Sequence, residues 1–157
     1  MISFKPQMVK LQIGLEKDIS RLYFEYSERF KEQREFWEEI GRDEKKHARL
    51  IMEMSNNFKD ASSYFNRNRI SEAALRDQIK MVEGERKRLR KDNVSLKEAL
   101  ETACKIEDSL LESAFYTTFA NDPEEIIKTI ALIRSEEEKH ARDIKRLLTG
   151  RQEEAGS

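Results

Sequence analysis

Apolar residues recur along this chain at the three- and four-residue spacing of an amphipathic helix. The pattern predicts helix 1 over about 6–30, helix 2 over about 33–58, helix 3 over about 95–119 and helix 4 over about 122–148. Because the turn between helices 1 and 2 is very short, these two helices are expected to be antiparallel neighbours. The sequence therefore predicts an all-α fold with four long helices.

Capping signals define several helix ends. Ser95-Leu96-Lys97-Glu98 is typical of a capping box and predicts the start of helix 3. Asp122 as the N-cap and Pro123 at the first helical position predict the start of helix 4. Gly150 is expected to end helix 4, and residues 151–157 are expected to form a disordered tail.

The segment between helices 2 and 3 is too long for a hairpin loop. We expect a break at 66–68, followed by a shorter helix from about Glu72 to Lys91, capped by Ser71 and interrupted at Gly84. A long helical crossover connection over 66–93 between two helical hairpins is typical of a ferritin-like four-helix bundle.

Ionisable side chains interrupt each of the four apolar seams. In helix 2, Glu44 and His47 take the places of two consecutive apolar residues, and Glu137 and His140 do the same in helix 4. Helices 1 and 3 each carry one glutamate at such a position. The seams are Val9, Gln12, Glu16, Ile19, Tyr23, Tyr26 and Phe30; Trp37, Ile40, Glu44, His47, Ile51 and Met54; Leu96, Leu100, Ala103, Glu107, Leu110 and Ala114; and Ile126, Ile130, Ile133, Glu137, His140, Ile144 and Leu147.

The two histidines of the chain belong to nearly the same phrase, Glu44-Lys45-Lys46-His47-Ala48-Arg49 and Glu137-Glu138-Lys139-His140-Ala141-Arg142. A Glu-x-x-His spacing places a carboxylate and an imidazole on one helix face, one turn apart. Glu16 lies 28 residues before Glu44, and Glu107 lies 30 residues before Glu137. The repetition indicates a duplicated helical hairpin, each copy covering the apolar face of the other.

Four glutamates in apolar seams are a costly arrangement. Burying one unpaired carboxylate costs several kcal/mol, and four around one axis repel each other. Two divalent cations would neutralise them, and oxygen and imidazole ligands suit iron or manganese, with zinc as an alternative. Tyr23, Tyr26 and Tyr116 are either hydrogen-bond donors to these carboxylates or core packing. The predicted metal ligands are Glu16, Glu44, His47, Glu107, Glu137 and His140.

Two other interpretations of these residues remain open at this stage. The Glu-x-x-His pairs could be exposed contacts on a coiled-coil surface. They could also form a vestigial site in a non-catalytic helical interaction protein. A measurement of metal binding would distinguish both interpretations from a dinuclear metal centre.

Length, net charge, cysteine count and the lack of long apolar runs limit the classes of protein to which this chain can belong. One domain over 1–150 is expected from the length, and a net charge of -1 gives no argument for binding nucleic acid. The basic run formed by Arg86, Lys87, Arg88, Arg90 and Lys91 is either a solvated face or a patch that binds nucleic acid or a partner. The single Cys104 excludes an internal disulfide and an attached four-cysteine metal module. Without an apolar run long enough for a membrane span or a signal peptide, a cytoplasmic protein is expected.

At the six predicted ligands, the chain resembles the rubrerythrin-like branch of the ferritin-like superfamily, over roughly residues 8–56 and 95–148. The resemblance implies that Glu16 and His47 bind one iron, that Glu107 and His140 bind the other, and that Glu44 and Glu137 bridge the pair. These ligands would hold two iron ions per chain. The resemblance therefore implies a dinuclear iron protein.

The same resemblance implies an activity. Rubrerythrin-like proteins are di-iron peroxide reductases or oxidases that act in oxidative stress, and their relatives oxidise and store iron. The chain would use peroxide or O2 as its substrate, depend on an external electron donor and form a homodimer. Two departures stand out: the chain has no rubredoxin domain, and Leu110 stands where rubrerythrin has an extra glutamate. It is therefore closer to a stand-alone erythrin, with a ferritin-type iron-storage protein as the alternative.

Overall fold

The computed structural model describes residues 6–57, 71–118, 120 and 122–155. Within these ranges the chain is helical and has no β-strand, which confirms the all-α prediction. The break predicted at 66–68 lies outside the described residues. The helices are α1 (Pro6–Arg29), α2 (Arg34–Asn57), α3 (Glu72–Lys91), α4 (Leu96–Glu112) and α5 (Glu124–Ala155), and short 3-10 turns occupy Lys31–Gln33 and Ala114–Tyr116.

Helices α1 and α2 form an antiparallel hairpin that is packed along its length. The Ser20 hydroxyl donates to the Gly41 carbonyl oxygen at 2.7 Å, and near the turn the rings of Tyr26 and Trp37 lie 4.7 Å apart. Gly41 allows this close approach, since a Cβ at that position would lie 3.2 Å from the ring of Phe24. The short connection predicted from the sequence is confirmed by the turn at Lys31–Gln33.

Helices α4 and α5 form a second antiparallel pair, joined by the ion pair between Lys145 and Asp108 at 3.2 Å. Helix α5 also runs antiparallel to α2. The Lys46 ammonium contacts the Glu136 carboxylate near the centre of this interface, and Lys139 lies 3.8 Å from Glu39 further along. The two helical pairs therefore meet face to face through α2 and α5.

Helix α3 has the predicted bounds, and its cap is confirmed because the Ser71 hydroxyl accepts a hydrogen bond from the Ala74 amide at 3.1 Å. The predicted interruption at Gly84 is wrong, since the helix is continuous there. A glycine costs a helix only about 1 kcal/mol relative to alanine. Burial of Leu75, Val82 and Leu89 outweighs that cost.

Three arginines of the basic run in α3 form ion pairs within the chain. Arg86 contacts Glu25 of α1 at 2.8 Å, and Arg90 approaches the same carboxylate at 3.6 Å. Arg88 bridges Glu85 and Glu98 at 3.0 and 2.8 Å. These arginines therefore hold α3 against α1 and α4.

Two helix ends differ from the sequence prediction. Helix α4 was expected to reach about residue 119, but it ends at Glu112 because Ser113 is extended and its hydroxyl accepts from the Phe115 amide at 3.2 Å. This bend buries Phe115 and Tyr116. Helix α5 continues past Gly150 to Ala155, since no described glycine adopts the positive φ that ends many helices. It thus includes residues 151–155 of the predicted disordered tail.

The predicted seams form the core. Among their described side chains, all are buried except Phe30, Leu96 and Leu147, which are half-buried. Aliphatic and aromatic layers therefore lie on both sides of the six ionisable residues. None of the helices in the described ranges combines the length and the apolar character that a membrane-spanning helix needs.

Candidate metal centre

The six predicted ligands meet in the middle of the core, where α1, α2, α4 and α5 face one another. Each of the six side chains is at most 1 % exposed. The interpretation as exposed surface pairs is therefore wrong. Their ligand atoms form two groups, each within 4.8 Å, that could each hold a metal ion: Glu16, Glu44, His47 and Glu137, and Glu44, Glu107, Glu137 and His140.

The two groups share Glu44 and Glu137, the glutamates of the repeated Glu-x-x-His phrases. A carboxylate has two oxygens, so a shared glutamate can contact two ions at once. The unshared members are one glutamate from the first helix of each pair and one histidine from the second. This pairing coincides with the ligand sets that the family resemblance implied.

Both histidines point the same ring nitrogen into the centre. His47 Nδ1 lies 2.8 Å from Glu137 Oε1 and 3.4 Å from Glu44 Oε2. His140 Nδ1 lies 3.2 Å from Glu44 Oε1 and 3.6 Å from Glu107 Oε1. The two rings lie 6.2 Å apart between centroids and are nearly parallel. Nδ1 is therefore the ligand atom that each imidazole offers.

The other ring nitrogen of each histidine contacts a carboxylate from the opposite helix pair. His47 Nε2 lies 2.5 Å from Glu136 Oε2, and His140 Nε2 lies 2.9 Å from Asp43 Oδ2. A carboxylate at Nε2 keeps the proton there and leaves the Nδ1 lone pair for a cation. Glu136 also accepts from Lys46, so this contact reaches the half-exposed surface.

Asp43 and Glu136 are site residues that the sequence analysis missed. Each directly precedes the glutamate of a Glu-x-x-His phrase, so the repeated unit is an acid followed by Glu-x-x-His. That repetition was the available signal. The meaning of this repetition depends on how α2 and α5 pack. Each acid lies opposite the histidine of the other helix, and the sequence alone does not show this.

Hydrogen-bond donors reach the two unshared glutamates. The Tyr23 hydroxyl donates to Glu107 Oε1 at 2.7 Å, and the Tyr116 hydroxyl donates to Glu16 Oε1. Gln12 Nε2 also donates to Glu16 Oε1, at 3.3 Å. Each tyrosine comes from the helix pair opposite to its glutamate, so these bonds join the two halves. Tyr26 packs against Trp37 instead.

Burial and mutual repulsion change the proton affinities of the cluster. Burial raises the pKa of Glu16 from 4.5 to about 7, and it raises the pKa of Glu44 and Glu107 well above 4.5. Burial also opposes the charged form of His47, but hydrogen bonds to Glu136 and Glu137 outweigh it and raise the pKa to about 10. Without metal, bound protons therefore balance the negative charge of the cluster that bound cations would otherwise balance.

Glu137 behaves differently from the other three buried glutamates. Burial would raise its pKa, but hydrogen bonds to Glu107, His140 and His47 outweigh burial and lower it. Glu137 is therefore the carboxylate that stays ionised between the two imidazoles.

Unpartnered oxygens indicate that these residues could hold a metal cation. Among the described residues, no hydrogen-bond donor reaches Oε2 of Glu16, Glu44 or Glu107. A buried carboxylate oxygen without a partner is costly. Two divalent cations would satisfy these oxygens and balance four carboxylate charges.

No protein-family model, curated protein or solved structure matches this chain. The chain's own side chains must therefore indicate its chemistry. What they establish is a buried cluster of four glutamates and two histidines, arranged as two overlapping groups that could each hold a metal ion.

Proposed function

We propose that this chain is a ferritin-like, rubrerythrin-like protein that holds two iron ions in one dinuclear centre. The observation that carries the proposal is the pair of overlapping ligand groups that share Glu44 and Glu137. One isolated ion would not need both groups. A vestigial cluster would gain nothing from retaining unpartnered oxygens on three buried glutamates.

The ligand chemistry favours iron. Glutamate and imidazole ligands suit iron and manganese, and zinc can replace them, whereas the centre has no thiolate that would select softer metals. Glu16 and His47 would hold one ion, Glu107 and His140 would hold the other, and Glu44 and Glu137 belong to both ligand groups. The two ferrous ions, when bound, supply the two electrons that reduce peroxide or that begin the reduction of O2.

The surrounding side chains would orient the ligands of that pair and fix their protonation. Asp43 and Glu136 fix the histidine tautomers through Nε2, so that both Nδ1 atoms face the ions. Tyr23 and Tyr116 hold the unshared glutamates in place by hydrogen bonds. The surrounding aliphatic layers exclude water from the centre. Repeated turnover would require electrons from an external donor.

The test uses protein loaded with Fe(II) without oxygen and mixed with hydrogen peroxide. We expect one peroxide to be consumed for each pair of Fe(II) ions, since peroxide takes up two electrons and two protons to give two waters. The double variant Glu44→Ala with Glu137→Ala should lose paired iron and this reaction. A matched control is Glu53→Ala with Glu138→Ala, which removes two exposed glutamates from the same helices.

Two results would count against the proposal. If the Glu44→Ala, Glu137→Ala protein still bound two ions per chain, the bridging assignment would be wrong. If the native protein took up many iron ions per chain in a large assembly, iron storage would explain the centre better than peroxide or O2 reduction.

A further inference from the structure

A buried amide lies between the metal centre and a surface pocket. Gln12 lies one turn before Glu16 on α1 and is 1 % exposed. Its Nε2 donates to Glu16 Oε1 at 3.3 Å and to the Tyr116 hydroxyl at 2.9 Å. The same side chain lines a pocket of about 460 Å³ between α1, α3 and α4, here called the Gln12 pocket.

The lining of the Gln12 pocket suits a hydrated cation. Its described residues include two carboxylates, of Asp77 and Glu112, and no lysine or arginine. Hydroxyl and amide groups complete the polar lining: Ser71, Gln78, Ser109 and Ser113. Hard divalent cations prefer oxygen ligands, and acid-lined clefts raise the local concentration of cations.

Two other surface pockets have linings of mixed charge. The pocket beside the α1–α2 turn is lined by three acidic and three basic residues: Glu32, Glu35, Asp143, Lys31, Arg34 and Arg146. The pocket between α1 and α3 combines Glu25 and Glu28 with Arg29 and Arg90. No hydrogen bond or ion pair among the described residues joins the lining of either pocket to a ligand of the metal centre. The Gln12 pocket therefore combines the cation-attracting lining with the contact to Glu16.

We propose that the Gln12 pocket is the route by which a hydrated divalent metal ion reaches the dinuclear centre, with Gln12 as the gate. This inference rests on the proposed dinuclear centre and adds how it is filled. The ion exchanges water for the carboxylate and hydroxyl oxygens of the pocket. Movement of the Gln12 amide away from Glu16 then exposes the unpartnered Glu16 Oε2 as the first ligand that the ion meets.

A gate has a kinetic signature that a ligand-orienting residue lacks. Removing a gate speeds association and dissociation together, whereas losing a hydrogen bond to Glu16 would mainly speed dissociation. If the open state is populated at about 10 % or less, Gln12→Ala should associate and dissociate at least about tenfold faster. The measurement is stopped-flow absorbance with Co²⁺, with dissociation followed after adding a chelator.

The charge of the Gln12 pocket gives a second variant that leaves the core untouched. Asp77→Asn with Glu112→Gln should slow Co²⁺ association about tenfold at low salt. The difference should vanish at about 1 M salt, where the Debye length is about 3 Å. Glu32→Gln with Glu35→Gln is the matched control, because it removes two exposed carboxylates beside the α1–α2 turn.

The inference is overturned if Gln12→Ala leaves the association rate unchanged, or if the Asp77, Glu112 variant associates as fast as the Glu32, Glu35 control. These outcomes differ from failure of the proposed centre. If the proposed centre itself were wrong, the native protein would bind fewer than two Co²⁺ ions per chain at equilibrium, whatever the association and dissociation rates.

Discussion

Replacing Glu16 with glutamine should stabilise the metal-free protein at alkaline pH. Glu16 is fully buried, and burial raises its pKa from 4.5 to about 7. A folded-state pKa above the unfolded value means that the contribution of this carboxyl is most favourable below pH 4.5 and is lost as pH rises through 7. At 1.36 kcal/mol per pKa unit, the 2.5-unit difference amounts to about 3 kcal/mol.

Glutamine resembles the protonated carboxyl in shape but cannot ionise. Its carbonyl oxygen can accept the hydrogen bonds that Tyr116 and Gln12 donate to Glu16 Oε1. We therefore expect Glu16→Gln to match the native protein near pH 4.5 and to exceed its free energy of unfolding by about 3 kcal/mol above pH 8. Urea unfolding with a metal chelator present, at several pH values, measures this difference.

The control is Glu28→Gln, an exposed glutamate on the same helix, which should give no such pH-dependent gain. The reasoning is refuted if Glu16→Gln is no more stable than the native protein at pH 8. That result would mean that the carboxylate of Glu16 is well stabilised without metal, and that its burial does not require a cation.

The contacts at the histidines and the proton affinities of the cluster give two further predictions. Glu136→Gln should weaken binding of the ion held by His47, and Asp43→Asn should weaken binding of the ion held by His140. Each variant should lower the affinity for its ion about 10–100-fold in competition titrations. Equal weakening of both ions by either variant would contradict this assignment. Because metal must displace protons from Glu16 and His47, whose pKa values are raised to about 7 and 10, Zn²⁺ binding at pH 7 should release protons and tighten as pH rises. A pH-indicator titration in weak buffer measures the release, and no proton release would contradict the described protonation.

The periodic part of the structure could be predicted from the sequence. Heptad spacing identified the seams, and the interruption of each seam by glutamate or histidine identified all six residues of the buried cluster. Capping residues also predicted the starts of α3 and α4, because Ser71 and Ser95 accept hydrogen bonds from nearby backbone amides. Both kinds of signal depend only on residues that are close together in the sequence.

What the sequence could not supply depends on how helices cross. Asp43 and Glu136 matter only because α2 and α5 place each acid opposite the other helix's histidine. The end of α4 at Glu112 depends on the burial of Phe115 and Tyr116 after the bend. Continuation of α5 through Gly150 shows that a glycine without positive φ is a weak stop signal.

The most direct test of the central claim is the metal content of the protein after anaerobic loading with Fe(II) and removal of free metal. The overlapping groups around Glu44 and Glu137 predict two iron ions per chain. One bound ion or none per chain would contradict a dinuclear centre, and with none the six buried side chains would be a proton-balanced polar cluster.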